Sequence, residues 1–125
     1  MMTSLIHVAL GGAVGASLRY LVGFAIVRLV GHGFPMAILT VNVIGSFLMG
    51  AFVVFAAHRG LTHLSPLVTT GLLGGFTTFS AFSLETVNLL ERGQVGVAVF
   101  YVLISIVGSV GALALGILLT RGALT

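Results

Sequence analysis

Four apolar runs, Leu5 to Val27, Phe34 to Ala57, Leu64 to Leu90 and Val95 to Leu119, take up almost the whole of this chain. Each is close to the roughly 20 residues that an α-helix needs to cross a hydrocarbon core about 30 Å thick. The connections Arg28 to Gly33, His58 to His63 and Glu91 to Gln94 are short, so neighbouring helices must run antiparallel. Residues 1–125 therefore read as one all-α domain of four transmembrane helices, at about 5–27, 34–57, 64–90 and 95–119, with no soluble domain, linker or internal duplication. Only 6% of the residues are charged and the mean hydropathy is +1.28, whereas about a quarter of a soluble domain is charged. The first apolar stretch continues past Arg19 with no small-residue cleavage site after a short core, so the first helix is expected to be retained.

The ionisable groups are few enough to exclude whole classes of function. There is no Asp, Lys, Cys or Trp, and the charges are Arg19, Arg28, Arg59, Arg92 and Arg121 against Glu85 and Glu91. Five arginines distributed along the helices mark helix ends and make no basic patch for nucleic acid. His7, His32, His58 and His63 lack metal-ligand spacing and are expected at the membrane interface. No nucleophile–base pair is present, so the chain is not read as an enzyme.

The third run departs from an ordinary lipid-facing helix. From Gly71 to Glu85 it carries three glycines, the hydroxyls of Thr77, Thr78, Ser80 and Ser83, and then a carboxylate. Each glycine lowers helical stability by about 1 kcal/mol relative to alanine, and the hydroxyls offer the backbone other bonding partners. The third helix is therefore expected to break near its middle, between Gly74 and Thr78. In a bilayer, non-helical backbone survives only where protein buries it or where it lines a cavity. Phe76, Phe79 and Phe82 follow at spacings of three, an aromatic stripe suited to packing but also able to offer positive ring edges to an anion.

The other helices carry small and polar residues at spacings of four. Gly11, Gly15 and Arg19 share one face of the first, and Asn42, Ser46 and Gly50 one face of the second. On the fourth, Tyr101, Ser105 and Ser109 do the same. Such faces let helices approach closely and hydrogen-bond across the contact, and by themselves they do not separate helix packing from a ligand path. The arginines are nearly balanced: Arg59 and Arg121 lie on one side, and Arg28 and Arg92 on the other, joined by Arg19 if it reaches the surface. Orientation follows arginine and lysine bias in the loops, so a near-tie predicts insertion in both orientations and an antiparallel, dual-topology homodimer.

Three segments carry a family resemblance: Gly11-Gly12-Ala13-Val14-Gly15-Ala16-Ser17-Leu18-Arg19-Tyr20, Thr40-Val41-Asn42-Val43-Ile44-Gly45-Ser46-Phe47, and Gly74-Gly75-Phe76-Thr77-Thr78-Phe79-Ser80-Ala81-Phe82-Ser83-Leu84-Glu85. With Ser105 and Ser109 they resemble the Fluc (CrcB) fluoride channels over essentially the whole chain. The resemblance implies a dual-topology homodimer in the inner (plasma) membrane with two pores, through which fluoride leaves the cell passively. It implies that Phe79 and Phe82 contact fluoride by their ring edges and that Asn42, Ser80, Thr78, Ser105 and Ser109 form a hydrogen-bonding track. It further places Tyr101 on the pore, Glu85 towards its far end and Arg19 in a vestibule. The carbonyls of Gly74 and Thr77 from both subunits would hold one structural sodium ion. Ala81 stands where family members often have threonine, which removes one hydroxyl from that track. The rival reading is a small proton-coupled, dual-topology exporter of cationic compounds, for which Glu85 is the one intramembrane acid available.

Overall fold

The computed structural model describes residues 1–125, and every regular element in it is helical. Helix α1 spans Met2–Val30 and α2 spans Met36–Arg59. The third span is composite: a short 3-10 turn at Thr62–Leu64, a π-helical segment at Pro66–Leu73, a single turn α3 at Gly74–Phe76, and then α4 at Phe79–Glu91. Helix α5 covers Val95–Leu124. The four spans are long and apolar enough to cross a membrane, with the third running from Thr62 to Glu91. The first and third spans extend past both ends of the expected runs and α2 and α5 past their C-terminal ends, whereas α2 starts at Met36, after Pro35, and not at Phe34. The Arg28 guanidinium lies 5.8 Å from the Phe24 ring centre and that of Arg59 5.7 Å from Phe55, so these two exposed end arginines sit over aromatic rings.

The turns are tight. Gly60 closes α2 in the left-handed region at φ 69°, where its N–H donates to the Ala56 carbonyl, and Gly93 turns the chain after α4 at φ 77°. A residue with a Cβ at either place would be strained.

The break has an architectural consequence. Before it, the π-helical segment and α3 lie against α1; after it, α4 lies against α5. Helix α2 packs most extensively on α5 and also touches α1, while α1 and α5 do not meet. The third span thus changes partner as it crosses the bilayer. A continuous straight helix could not do this.

Glycines make these contacts possible. A Cβ on Gly11 would run into the Leu67 carbonyl, and one on Gly15 into the Leu72 carbonyl, so α1 meets the third span backbone to backbone. The same holds between α2 and α5, where Gly50 faces the Leu113 carbonyl and Gly116 the Phe47 carbonyl. Lipid tails are as apolar as leucine, so close van der Waals contact of this kind is what holds membrane helices together. Only 15 of 125 residues are buried, and the outward-facing Leu, Val, Ile and Phe side chains are left for a bilayer to cover.

Candidate conduction site

The site begins at Thr77 and Thr78. Both are extended, at φ −91°, ψ 157° and φ −153°, ψ 124°. The glycines before them stay helical, with Gly74 at φ −64°, ψ −36°, so the break falls at the C-terminal end of the expected window. The N–H and Oγ1 of Thr77 both donate to the Leu73 carbonyl, at 3.0 and 2.9 Å, which closes the preceding turn. Thr78 then turns to α2. Its N–H donates to Asn42 Oδ1 at 2.8 Å, and Asn42 Nδ2 donates back to the Thr78 carbonyl at 3.1 Å. One side-chain amide therefore satisfies the donor and the acceptor of the residue at the break. On the other side, Arg19 Nε donates to the Gly75 carbonyl at 3.0 Å. Helix α4 restarts with Thr78 as its N-cap, Oγ1 accepting from the Ala81 N–H at 3.1 Å and sharing a hydrogen bond with Ser80 Oγ at 3.2 Å.

Beside this break lies a cavity of about 270 Å³. Asn42 and Ser46 of α2, Thr77 and Thr78, Phe79 and Phe82 of α4, and Ser105 and Ser109 of α5 line it, with Ile106 and Val110 completing the wall. It holds amide and hydroxyl groups and two aromatic rings, and no charged side chain. Ser105 Oγ is buried and has no hydrogen-bond partner in the protein. The Phe79 and Phe82 ring centroids are 5.4 Å apart at 49°, and Phe79 is 78% exposed on this single chain.

The sequence-predicted residues divide around that cavity. Asn42, Thr77, Thr78, Phe79, Phe82, Ser105 and Ser109 are brought together on its wall. Ser80 touches the set through Thr78 but stands off the wall. Tyr101 sits behind it, fully buried: its ring is 5.3 Å from Phe82 and meets Phe34 edge-on at 5.5 Å, and its hydroxyl has no partner. Glu85 lines a separate polar concavity of about 510 Å³ with His32, Asn88, Glu91 and Arg92. A proton-coupled exporter needs its acid in the central cavity, and Glu85 is not there. Arg19 lies on the α1 side of the third span, engaged with Gly75. Gly74 is exposed, and the Thr78 N–H that would cap its carbonyl in a continuous helix goes to Asn42 instead.

Ser46, Ile106 and Val110 on the wall were not among the predicted residues. Ser46 lies four residues after Asn42 on the same face, a signal sufficient to have included it. Ile106 and Val110 carry no such signal, because an apolar residue on a membrane helix looks the same whether it faces lipid or a path. The spacing of three also does not survive the break: Phe76 is buried near Gly45, apart from the Phe79–Phe82 pair.

Comparison with known sequences bears on what such a cavity is for. A family described as "CrcB-like protein, Camphor Resistance (CrcB)" matches residues 6–117. The chain belongs to the CrcB family. It is 60% identical over 126 residues to a protein of Ruegeria sp. (strain TM1040), with all of both chains covered. It is 63% identical over 123 residues to one of Roseobacter denitrificans, covering 97% of this chain and 98% of that one. A CrcB relative from Jannaschia sp. (strain CCS1) is 68% identical over 100 residues, covering 76% and 95%. All three relatives carry the name "Fluoride-specific ion channel FluC".

Proposed function

We propose that this chain forms a fluoride-selective channel, multi-pass in the bacterial plasma membrane, that lets fluoride leave the cell down its electrochemical gradient. The carrying observation is the cavity wall of Asn42, Ser46, Thr78, Ser105, Ser109, Phe79 and Phe82, in a chain matched end to end by relatives named for fluoride conduction. Fluoride is small and strongly hydrated, so it leaves water only where hydrogen-bond donors replace its shell, and bonds to an ionised partner are the stronger class. Hydroxyl and amide donors supply that without a fixed cation. Conduction requires binding favourable enough to enter and weak enough to leave, and a permanent positive charge in the wall would oppose leaving. The rings of Phe79 and Phe82 add positive edges on the same wall. An interior-negative potential contributes about 2.3 kcal/mol per 100 mV towards expelling one anion, so no energy-coupling site is needed.

The test is efflux from liposomes containing the purified protein, read with a fluoride electrode and repeated for chloride. Fluoride efflux well above chloride is expected, and no fluoride flux, or equal flux of both, overturns the reading. In the same assay Phe79→Ile and Phe82→Ile should each abolish or strongly reduce flux while leaving assembly intact; wild-type flux in both would return the rings to packing.

The assembly in this reading is an antiparallel homodimer with a sodium ion at its centre. Three observations support it. The loop arginines are balanced, Phe79 and Gly74 are exposed beside the break, and the Gly74 and Thr77 carbonyls have left the regular helical ladder. Carbonyl oxygens of unwound backbone suit a hard monovalent cation, and Gly74 and Thr77 would hold it. A second copy about a two-fold axis would double the oxygens available. Native mass measurement in sodium and in sodium-free buffer checks both parts: a dimer that loosens when sodium is removed is expected, and a monomer in sodium overturns the assembly. A dimer indifferent to sodium overturns the ion, and a reporter on the C-terminus found on one membrane face alone overturns the dual topology.

A further inference from the structure

The break leaves a problem that the conduction reading does not address. When a helix stops, its last carbonyls lose the N–H groups that the next turn would supply, and in a bilayer water is not there to replace them. α3 ends at Phe76, and its Gly75 carbonyl would have been bonded by the next turn of an unbroken helix. That carbonyl instead accepts from Arg19 Nε at 3.0 Å, across 56 residues of sequence. The approach is built into the glycines. A Cβ on Gly75 would lie 2.9 Å from the Gly12 carbonyl and 3.2 Å from the Ala16 N–H nitrogen, and one on Gly15 would lie 2.9 Å from the Phe76 nitrogen. α1 is thereby pressed against the turn that precedes the break, and Arg19, one turn beyond Gly15, is delivered to its end.

We propose that Arg19 is a positioning residue: it caps the Gly75 carbonyl and so fixes, from the α1 side, the break that Asn42 fixes from the α2 side. This deepens the channel reading and rests on it. The two clamps act on residues three apart, Gly75 and Thr78, and the stretch between them, Phe76 and Thr77, carries a wall residue of the cavity. A hydrogen bond to a guanidinium is charge-assisted and directional, and arginine's planar fork presents Nε at a fixed angle. A lysine in the same place keeps the charge but not that geometry. The role is therefore distinct from attracting anions, for which charge alone suffices.

Arg19→Lys and Arg19→Gln separate the two roles in wild-type-calibrated liposomes, with flux measured across a range of fluoride concentrations. Both variants are expected to lower maximal flux about tenfold or more, the loss of one charge-assisted bond, with the half-saturating fluoride concentration unchanged. Amide hydrogen exchange across Gly74–Phe79 should quicken in both. Wild-type flux and exchange in Arg19→Lys overturn the proposal, as does a defect in Arg19→Gln that high fluoride overcomes, since either means that charge alone acts. Should the wild-type protein pass no fluoride, the channel reading fails and exchange alone decides: faster exchange in Arg19→Lys supports the cap and unchanged exchange overturns it. If a variant does not fold, wild-type protein labelled with 15N at arginine Nε and 13C at glycine carbonyls decides by dipolar coupling. A contact between Arg19 and Gly75 in the membrane supports the cap, and its absence overturns it.

Discussion

Asn42→Leu is expected to abolish conduction and to weaken the fold at once. Leucine has the branching and the number of heavy side-chain atoms of asparagine but can neither accept from the Thr78 N–H nor donate to the Thr78 carbonyl. Both backbone groups lie partly buried where the third span is not helical, so no neighbouring turn can take them over. An unsatisfied buried donor or acceptor costs about 1–3 kcal/mol, so the pair together costs about 2–6 kcal/mol. The chain would relieve this by shifting Thr77 and Thr78, and both line the cavity with Asn42. Asn42→Asp is the informative companion. It keeps an acceptor for the Thr78 N–H, loses the donor to the Thr78 carbonyl, and puts a negative charge on the wall, so it should block an anion even where the Thr78 N–H bond is retained. Denaturant unfolding in detergent and liposome flux read the two effects separately. Wild-type stability and wild-type flux in Asn42→Leu would mean that the amide does not hold the break.

Gly15→Ala should be nearly as damaging although it touches no residue of the cavity. Its Cβ would collide with the Leu72 carbonyl and come within 2.9 Å of two further backbone atoms, Leu72 C and Phe76 N. Backbone cannot swing aside as a side-chain tip can, so α1 and the π-helical segment must separate. Overpacking of this kind costs about 1–3 kcal/mol, and the separation also draws Arg19 away from Gly75. The control is three residues earlier. At Gly12 the nearest atom to a new Cβ is the Gly71 carbonyl oxygen at 4.0 Å, ordinary van der Waals distance, so Gly12→Ala should leave thermal stability and flux near wild type. Equal behaviour of the two alanine variants would refute this account of the α1 contact.

These two predictions mark where sequence reasoning ends. The i, i+4 spacing of Gly11, Gly15 and Arg19 shows that they share a helix face, and that reading is sound because helical period is a local property. It does not say that Gly15 meets a carbonyl while Gly12, three residues earlier, has room. That difference depends on where α1 crosses the third span. Likewise Asn42 is legible as a costly mid-membrane amide that needs partners, but its partners being the N–H and C=O of Thr78, 36 residues away, follows only from the crossing of α2 with the break. The break itself is half legible. Glycines and hydroxyls signal it, yet the glycines stay helical and the extended residues are the two threonines, because Asn42 rewards extension at Thr78 and nothing comparable acts at Gly74.

By itself the sequence determined that the chain lives in a bilayer, that it crosses four times, that the third crossing is irregular, and to which family it belongs. Those are properties of runs, periods and ordered motifs, each encoded within a few consecutive residues. Only the tertiary structure decided the rest. It turned Arg19 to the Gly75 carbonyl, split Phe76 from Phe79 and Phe82, added Ser46 to the cavity wall and set Glu85 in another concavity. The physical reason is the kink at Thr77 and Thr78. It resets the helical phase and lets the third span leave α1 for α5, so spacings counted across it no longer report which side chains face the same way.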